Sequence, residues 1–279
     1  MASTTSSVSA ELAASGKIPV WLWPNVLSLD APVIAALWQS VFAHDAAVKL
    51  SIASRAVLPL AVWLIYLVDR LFDTAHGLPL QVTARHAFHC ANRRACYLMA
   101  GCAALSAAVG VLYLPPLIVR NGLTVLGAVI AYLSIVHGMG GKLRRWLPKE
   151  AAVGLIFSLG SALAPASWSS NPSHLLFPGL VFGILCWANS AAIEIWEGGT
   201  VDAVSAFLVR HFRVLAVAVA LVCLFGGAWL PLEHSWVACL FAALGYAVID
   251  YLRYELSPDL LRVGIDIPLL APLLLLGLK

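Results

Sequence analysis

The sequence predicts an all-α membrane protein, a bundle of nine transmembrane helices, and its composition and pattern support this. Of the 279 residues, 61% are hydrophobic and only 11% are charged, with a mean hydropathy of +0.90. Soluble domains carry about 25% charged residues. The apolar segments lack the strict alternation of a membrane β-strand, so helices remain as the structure that satisfies every backbone polar group in lipid.

No long polar linker divides the apolar segments, so we expect one domain over residues 18–279 after a tail at 1–17. The tail is rich in Ser, Thr and Ala and lacks the basic region and apolar core of a secretory signal, which predicts a disordered cytosolic segment. The six cysteines form no Cys-x-x-Cys pair and predict neither a disulfide nor a zinc site. A net charge of +3 is too small to indicate a nucleic-acid partner, whereas membrane lipid is an expected one.

The nine spans follow apolar runs that end at charged, proline-rich or glycine-rich connections. We predict them over residues 31–42, 51–73, 95–114, 117–137, 151–166, 175–196, 214–230, 236–252 and 260–278. The first is shorter than the ~20 residues that cross a hydrocarbon core. The second ends in two aspartates, and a polar connection with histidines and arginines follows it.

The later spans are delimited in the same way. The third ends at Pro115-Pro116, and the fourth ends at the Gly-Met-Gly-Gly run of 138–141. The fifth is rich in Gly, Ala and Ser, which let neighbouring helices approach closely. The sixth ends in an acidic stretch, the seventh and eighth are plain apolar runs, and the ninth contains Asp266 and two prolines.

The distribution of Lys and Arg predicts the orientation of the bundle. With the amino terminus in the cytosol, thirteen of the 17 basic residues fall on the cytosolic side. These are Lys17, Arg70, Arg85, Arg93, Arg94, Lys142, Arg144, Arg145, Lys149, Arg210, Arg213, Arg253 and Arg262. Because positive charge is retained in cytosolic connections, the sequence predicts a cytosolic amino terminus and places both acidic stretches on that face.

The second span closes with Asp69 and Asp73, four positions apart and therefore on one helix face, with Arg70 on the flank. Two acids at the end of a membrane helix are costly unless they meet water, cations or partners. One interpretation is a hydrated helix end. The other is a carboxylate pair that holds a divalent cation against a phosphorylated substrate.

A second acidic group ends the sixth span, on the same predicted side. It comprises Asn189, Glu194, Glu197 and Asp202. Two acidic groups with basic connections next to an apolar bundle suit a diphosphate head with an apolar tail, since Mg²⁺ bridges carboxylates to phosphates and Arg binds phosphate in a bidentate manner. Two alternatives stay open: Glu194 faces another helix, and Asp202 caps the helix that follows it.

These motifs resemble those of the UbiA superfamily of intramembrane prenyltransferases, over nearly the whole chain from Ser28 onward. The family's first motif, Asn-x-x-x-Asp-x-x-x-Asp, falls on Ile65, Asp69 and Asp73, so both aspartates match and the asparagine is absent. The second, Asp-x-x-x-Asp, falls near Glu194, Glu197 and Asp202. Residues 149–160 also resemble the start of the family's fifth helix.

The resemblance implies a nine-helix fold and a magnesium-dependent transfer of a polyprenyl group from its diphosphate to a lipophilic acceptor. It implies catalytic roles for Asp69, Asp73 and Glu197. It implies a Mg²⁺ site drawn from Asp69, Asp73, Asn189, Glu194, Glu197 and Asp202, and diphosphate binding by Arg70, Arg85, Lys142, Arg145 and Lys149. Two alternatives remain: a diphosphate-releasing hydrolase or cyclase, and a catalytically degenerate isoprenoid-binding or structural protein of the same fold.

Three further polar residues stand out. His86 and His89 are three positions apart, a spacing that can hold a metal on a helix, but without a third ligand nearby we expect solvated loop histidines. Asp266 lies in the ninth predicted span, where a charge is costly. We expect Asp266 to pair with Arg262 or to face the bundle interior.

Overall fold

The computed structural model describes residues 18–75, 84–138, 148–229 and 233–276, and within these ranges every regular element is a helix and none is a strand. The predicted tail lies outside them. The α-helices are α1 Trp23–Val26, α2 Asp30–Asp45, α3 Ile52–Ala75, α4 Ala84–Ala91, α5 Arg93–Val111, α6 Pro116–Gly138, α7 Lys149–Trp168, α8 Leu176–Trp196, α9 Ala203–Arg210, α10 Phe212–Trp229, α11 His234–Leu252, α12 Pro258–Asp266 and α13 Pro272–Leu276. Short 3₁₀ segments cover Val20–Leu22, Pro172–Leu175 and Ile267–Leu270.

The chain is a multi-pass membrane protein by the length and apolar character of its helices. In the described ranges, five helical stretches are long and apolar enough to cross a bilayer, over Ile52–Phe72, Arg93–Val111, Lys149–Trp168, Pro172–Trp196 and His234–Leu252. Two bent pairs raise the total to seven if each counts as one span. One is Val20–Val26 with Asp30–Asp45, bent by 79°, and the other is Ala203–Arg210 with Phe212–Gly226, bent by 80°.

Eight of the nine predicted spans each fall on one long helix, α2, α3, α5, α6, α7, α8, α10 or α11. The ninth is a different structure: it divides into α12, a 3₁₀ turn and α13. Pro268 and Pro272 each lack the backbone N–H that a continuing α-helix requires, which explains the breaks. Two short helices that the apolar pattern did not predict, α4 and α9, lie in the polar connections before α5 and α10.

Helix α2 lies at the centre of the helical packing, against α3, α7 and α11. Its Trp38 is fully buried and stacks on Phe182 of α8 with ring centroids 3.9 Å apart. The Trp38 Nε1 donates to the carbonyl of Leu269, 2.9 Å away, and so ties α2 to the broken carboxyl-terminal segment. Tyr246 of α11 donates to the carbonyl of Leu185 across 3.1 Å. The core therefore joins the first long helix to the last elements of the chain.

Helices α7 and α8 approach closely through small residues, as the Gly, Ala and Ser content predicted. A Cβ at Gly154 would lie 2.5 Å from the Gly183 carbonyl oxygen and 2.6 Å from the Trp187 nitrogen, both backbone atoms of α8. Ser158, one turn later, donates to the Gly179 carbonyl at 2.5 Å. The packing distance of this helix pair depends on the absence of a side chain at Gly154.

We expect Gly154→Ala to lower the unfolding free energy by about 1–3 kcal/mol, because the added methyl overpacks a backbone contact. Gly160→Ala, on the same helix, is the matched control. Its Cβ would meet only Leu58 Cδ1 at 3.5 Å, an ordinary contact. Alanine is also the better helix former. Thermal unfolding in detergent should show a lower midpoint for the first variant alone, and equal midpoints would contradict the contact.

Candidate functional site

The short helix α4 places two polar side chains in the interior. Its Phe88 packs against Leu67 and Leu71 of α3, and the ring of Trp23 lies 5.6 Å from that of Phe88. Arg85 and His89 are one helical turn apart, and they are 4% and 0% exposed. His89 is thus a buried residue, and the expectation of a solvated loop histidine is wrong for it. The His86 side chain lies outside what the structure describes.

Arg85 meets Glu197, at the end of α8, together with an arginine from the carboxyl-terminal segment. Arg262 Nη1 donates to Glu197 Oε1 at 2.9 Å, and Arg85 Nη2 lies 3.9 Å from Glu197 Oε2. The side chains of Arg262 and Glu197 are 11% and 24% exposed. We call Arg70, Arg85, Glu197 and Arg262 the arginine cluster. Glu197 pairs with two of these guanidinium groups, and the charge of the third, Arg70, acts on Arg85.

The cations of the arginine cluster act on one another. Burial lowers the pKa of the Arg85 guanidinium, and the charges of Arg262 and Arg70 lower this pKa further, while Glu197 raises it. Arg70 lies on α3, beside Asp69, with 3.6 Å between Nη2 and the Asp69 carboxylate. Three separate elements, α3, α4 and α12, thus supply the cations. A second anion bound here would relieve their repulsion.

Three buried nitrogens at this place have no hydrogen-bond partner within the described ranges: Nε of Arg85, Nε of Arg262 and Nε2 of His89. His89 Nδ1 lies 2.9 Å from the Arg85 carbonyl oxygen and donates a hydrogen bond to it. Burial and the charges of Arg85 and Arg70 lower the His89 pKa. The ring is therefore neutral with a lone pair on Nε2. The site offers two guanidinium donors and one ring acceptor to a ligand.

A set of carboxyl and amide groups lies next to the arginine cluster. Asp30, at the start of α2, accepts a hydrogen bond from Asn25 at 2.7 Å. Asp266, one turn after Arg262 on α12, accepts one from Asn189 at 2.9 Å. Asp266 therefore faces the bundle interior, one of the two placements expected, while the Arg262 guanidinium bonds Glu197.

Of the predicted acids of the second span, Asp69 has a side chain 61% exposed and pairs with Arg70, its neighbour in sequence. The Asp73 side chain lies outside what the structure describes, as do Lys142 and Arg145. Lys149 is the first residue of α7 and is exposed. The predicted roles of these residues in binding metal and diphosphate stay predictions.

The second acidic group separates into different environments. Asp202 caps α9: its Oδ1 accepts from the Val204 and Ser205 amides, at 2.8 and 3.1 Å, and Oδ2 accepts from the Ser205 hydroxyl at 2.6 Å. These hydrogen bonds lower the pKa of Asp202 against the effect of its burial. The capping alternative is therefore the one seen here.

Glu194 and Asn189, two further members of the second group, have different neighbours. The Glu194 carboxylate lies against Gly199, in the turn that ends α8, where Gly198 has a φ of 82° that favours glycine. Asn189 donates to the Ile265 carbonyl as well as to Asp266, at 3.0 and 2.9 Å. Among these residues, only Glu197 is seen to contact the cations.

Sequence reasoning missed three contributors to this site. The sequence suggests Arg262 only as a possible partner of Asp266, it indicates a solvated His89, and it does not single out Asp30. One local signal for His89 was available: Arg85, Phe88 and His89 fall on one face of a helix, and Phe88 marks that face as buried. The contact of Arg262 with Glu197 joins residues 65 positions apart and has no local signal.

Comparison with protein-family models, with curated proteins and with solved structures found no match to this chain.

Proposed function

We propose that this protein is an intramembrane prenyltransferase that moves a polyprenyl group from its diphosphate to a lipophilic acceptor, with Mg²⁺. The observation that carries the proposal is the arginine cluster. Arg85 and Arg262 each have a buried Nε without a hydrogen-bond partner in the described ranges, next to an Arg70 that sits beside Asp69. Buried, preorganised guanidiniums suit the oxygens of a diphosphate, and they are worth most where negative charge develops as it leaves.

The proposed architecture is the nine-helix bundle of the UbiA superfamily, with its amino terminus and active site on the cytosolic side of the membrane. Eight long helices and a broken ninth segment are compatible with that count. The excess of Lys and Arg in one set of connections supports the orientation. Both Asp69 and the arginine cluster lie at the ends of α3 and α8 that this orientation assigns to the cytosol.

Magnesium fits one part of the predicted ligand set better than the other. Asp69 is exposed, so its carboxylate is available to a hydrated Mg²⁺ that bridges to phosphate oxygens, and the sequence places Asp73 one helical turn later. Glu197 has a guanidinium near each of its oxygens, which suits it to hold Arg85 and Arg262 in place. Bound Mg²⁺ would supply further neutralisation of the leaving diphosphate.

In the proposed reaction the allylic C–O bond breaks and diphosphate departs with the bonding electron pair. Arg85, Arg262 and Arg70 stabilise the charge that forms on it. An electron-rich carbon or oxygen of the acceptor bonds to the allylic cation and then loses a proton. The exclusion of water from the apolar bundle favours transfer over hydrolysis.

The test uses full-length protein in nanodiscs with labelled geranylgeranyl diphosphate, Mg²⁺ and a mixture of quinone precursors. Diphosphate release together with a new lipid adduct is the expected result. Release without an adduct would favour a hydrolase or cyclase, and binding without release would favour a degenerate isoprenoid-binding protein. If the protein neither binds geranylgeranyl diphosphate nor releases diphosphate from it, the proposal is overturned.

Substitutions locate the metal part of the site. We expect Asp69→Asn and Asp73→Asn each to lower diphosphate release by about 100-fold or more, because each removes a charged ligand of Mg²⁺. Glu255→Gln is the matched control, since Glu255 is an exposed acid after α11. If both aspartate variants keep full activity, Asp69 and Asp73 do not form the metal site, even if the wild-type protein is a prenyltransferase.

A further inference from the structure

A second polar cluster lies at the other end of α2. We call His44, Asp45 and His234 the histidine cluster. The first two end α2, and His234 begins α11, about 190 positions later in the chain. Asp30, beside the arginine cluster, and Asp45 are the first and last residues of α2, so they are separated by about 22 Å along the helix axis. The two sites are therefore distinct.

The spacing of the ligand atoms in the histidine cluster is that of a metal site. The Nδ1 atoms of His234 and His44 lie 3.2 and 3.7 Å from Asp45 Oδ1. All three ligand atoms fall within 4.8 Å of one another. In a tetrahedral zinc site with Zn–N and Zn–O distances near 2.0–2.1 Å, two ligand atoms are about 3.3 Å apart. Small side-chain rotations would bring all three atoms to one ion.

Asp45 is held rigidly enough to serve as the anchor of such a site. Its side chain is 1% exposed, and it accepts hydrogen bonds from the backbone amides of His234 and Ser235, at 3.0 and 2.8 Å. The turn after it places Ala47 at a φ of 53°, in the left-handed region that alanine rarely adopts. The carboxylate is thus oriented before any ion binds.

Glu233, the residue before His234, carries a second carboxylate next to this group, and its oxygens lie outside the set of atoms that fall within 4.8 Å of one another. Its Oε2 is buried and has no hydrogen-bond partner in the described ranges. A cation bound between this carboxylate and that of Asp45 would satisfy the unpartnered oxygen. No other described group of at least three His, Cys, Asp or Glu residues has such ligand spacing.

We propose that His44, Asp45 and His234, with Glu233, bind one divalent transition-metal ion and so clamp α2 to α11. Two imidazoles and two carboxylates select ions such as Zn²⁺ over Mg²⁺ or Ca²⁺, which prefer oxygen ligands alone. The bound ion holds the end of the central helix against the start of the helix that packs on it. This site is independent of the arginine cluster and of the proposed transferase reaction.

The test measures zinc in full-length protein, purified in detergent without a histidine tag, stripped with a chelator and dialysed against Zn²⁺. We expect one zinc ion per chain by mass spectrometry. His44→Asn, His234→Asn and Asp45→Asn should each weaken binding by at least the roughly 10–100-fold that the loss of an outer-shell partner costs. Asparagine at position 45 keeps one carbonyl oxygen, which can accept one of the two amide hydrogen bonds, so this variant retains part of the helix cap. His211→Asn removes an exposed histidine and should leave zinc binding unchanged.

Cobalt provides a second measurement that needs no variant to fold. Co²⁺ bound to the wild-type protein should give the strong visible absorption of a four-coordinate ion. Zinc should also raise the melting midpoint of the wild type and leave that of Asp45→Asn unchanged, since only a ligand of the folded state stabilises it. A wild type that binds no more zinc than the His44→Asn/His234→Asn double variant, or six-coordinate cobalt, would overturn the proposal.

Discussion

Arg85→Gln is expected to weaken the binding of geranylgeranyl diphosphate by about 100-fold. The guanidinium is 4% exposed and lies 3.9 Å from Glu197, so its hydrogen bonds to a phosphate form with little competition from water. Loss of a charge-assisted hydrogen bond costs about 1.5–3 kcal/mol, and each 1.4 kcal/mol is a factor of ten in affinity. Binding of a fluorescent or radiolabelled analogue in nanodiscs measures the effect.

The matched control for this variant is Arg94→Gln. Arg94 lies at the start of α5, only nine positions along the chain, and is exposed. Because solvent screens its charge, we expect less than a threefold change. Arg85→Gln should also melt close to the wild type, since Arg262 still pairs with Glu197. Equal loss in both variants would indicate a general effect of positive charge at the membrane surface and would contradict a built diphosphate site.

Glu197→Ala is expected to destabilise the ligand-free protein by about 3–5 kcal/mol, the usual cost of leaving a buried partner charge unpaired. Here the variant leaves Arg85 and Arg262 without their shared carboxylate. Inorganic diphosphate should restore much of the lost stability, because it supplies negative charge to the same guanidiniums. The wild type should gain less, since Glu197 already occupies them in part. Thermal unfolding with and without diphosphate measures both effects.

Asp69→Ala separates this prediction from a general effect of removing an acid. Asp69 also pairs with an arginine, but its side chain is 61% exposed, so we expect a change below about 1 kcal/mol. A Glu197→Ala variant as stable as the wild type, or one that diphosphate does not restore, would show that the arginines do not depend on Glu197 and do not bind the anion. The arginine cluster would then be a structural feature alone.

Hydropathy predicted the long helices because each span must bury a continuous apolar surface or expose it to lipid. A run of apolar residues in the sequence is enough to show this requirement. Hydropathy did not predict a helix whose stability depends on packing against its neighbours. Helix α4 is short and polar in sequence, and it is held by Phe88 against α3 and α1. The prediction of the ninth span was wrong for the opposite reason. Its apolar composition indicated one continuous helix, but its prolines interrupt the helical hydrogen bonds of the backbone.

The candidate site was predictable only in part. The sequence singled out Arg85 and Glu197 as site residues, and the structure places them 3.9 Å apart, as an ion pair that the sequence did not predict. The sequence could not predict which acid pairs with the arginines. Glu194 and Glu197 are one helical turn apart, and only the packing of α12 decides between them. Asp202 shows that residue type alone does not identify a metal ligand. It is a carboxylate, as Mg²⁺ requires, but its side chain caps the backbone of α9.

The most direct test of the central claim is to observe the arginine Nε–H groups themselves. Nitrogen-15 labelling of arginine in detergent-solubilised protein, with signals assigned through Arg85→Gln and Arg262→Lys, allows a titration with geranylgeranyl thiodiphosphate and Mg²⁺. We expect the Nε–H resonances of Arg85 and Arg262 to shift on binding while those of exposed Arg94 and Arg210 stay in place. Shifts confined to the exposed arginines, or none at all, would contradict a diphosphate site at the arginine cluster.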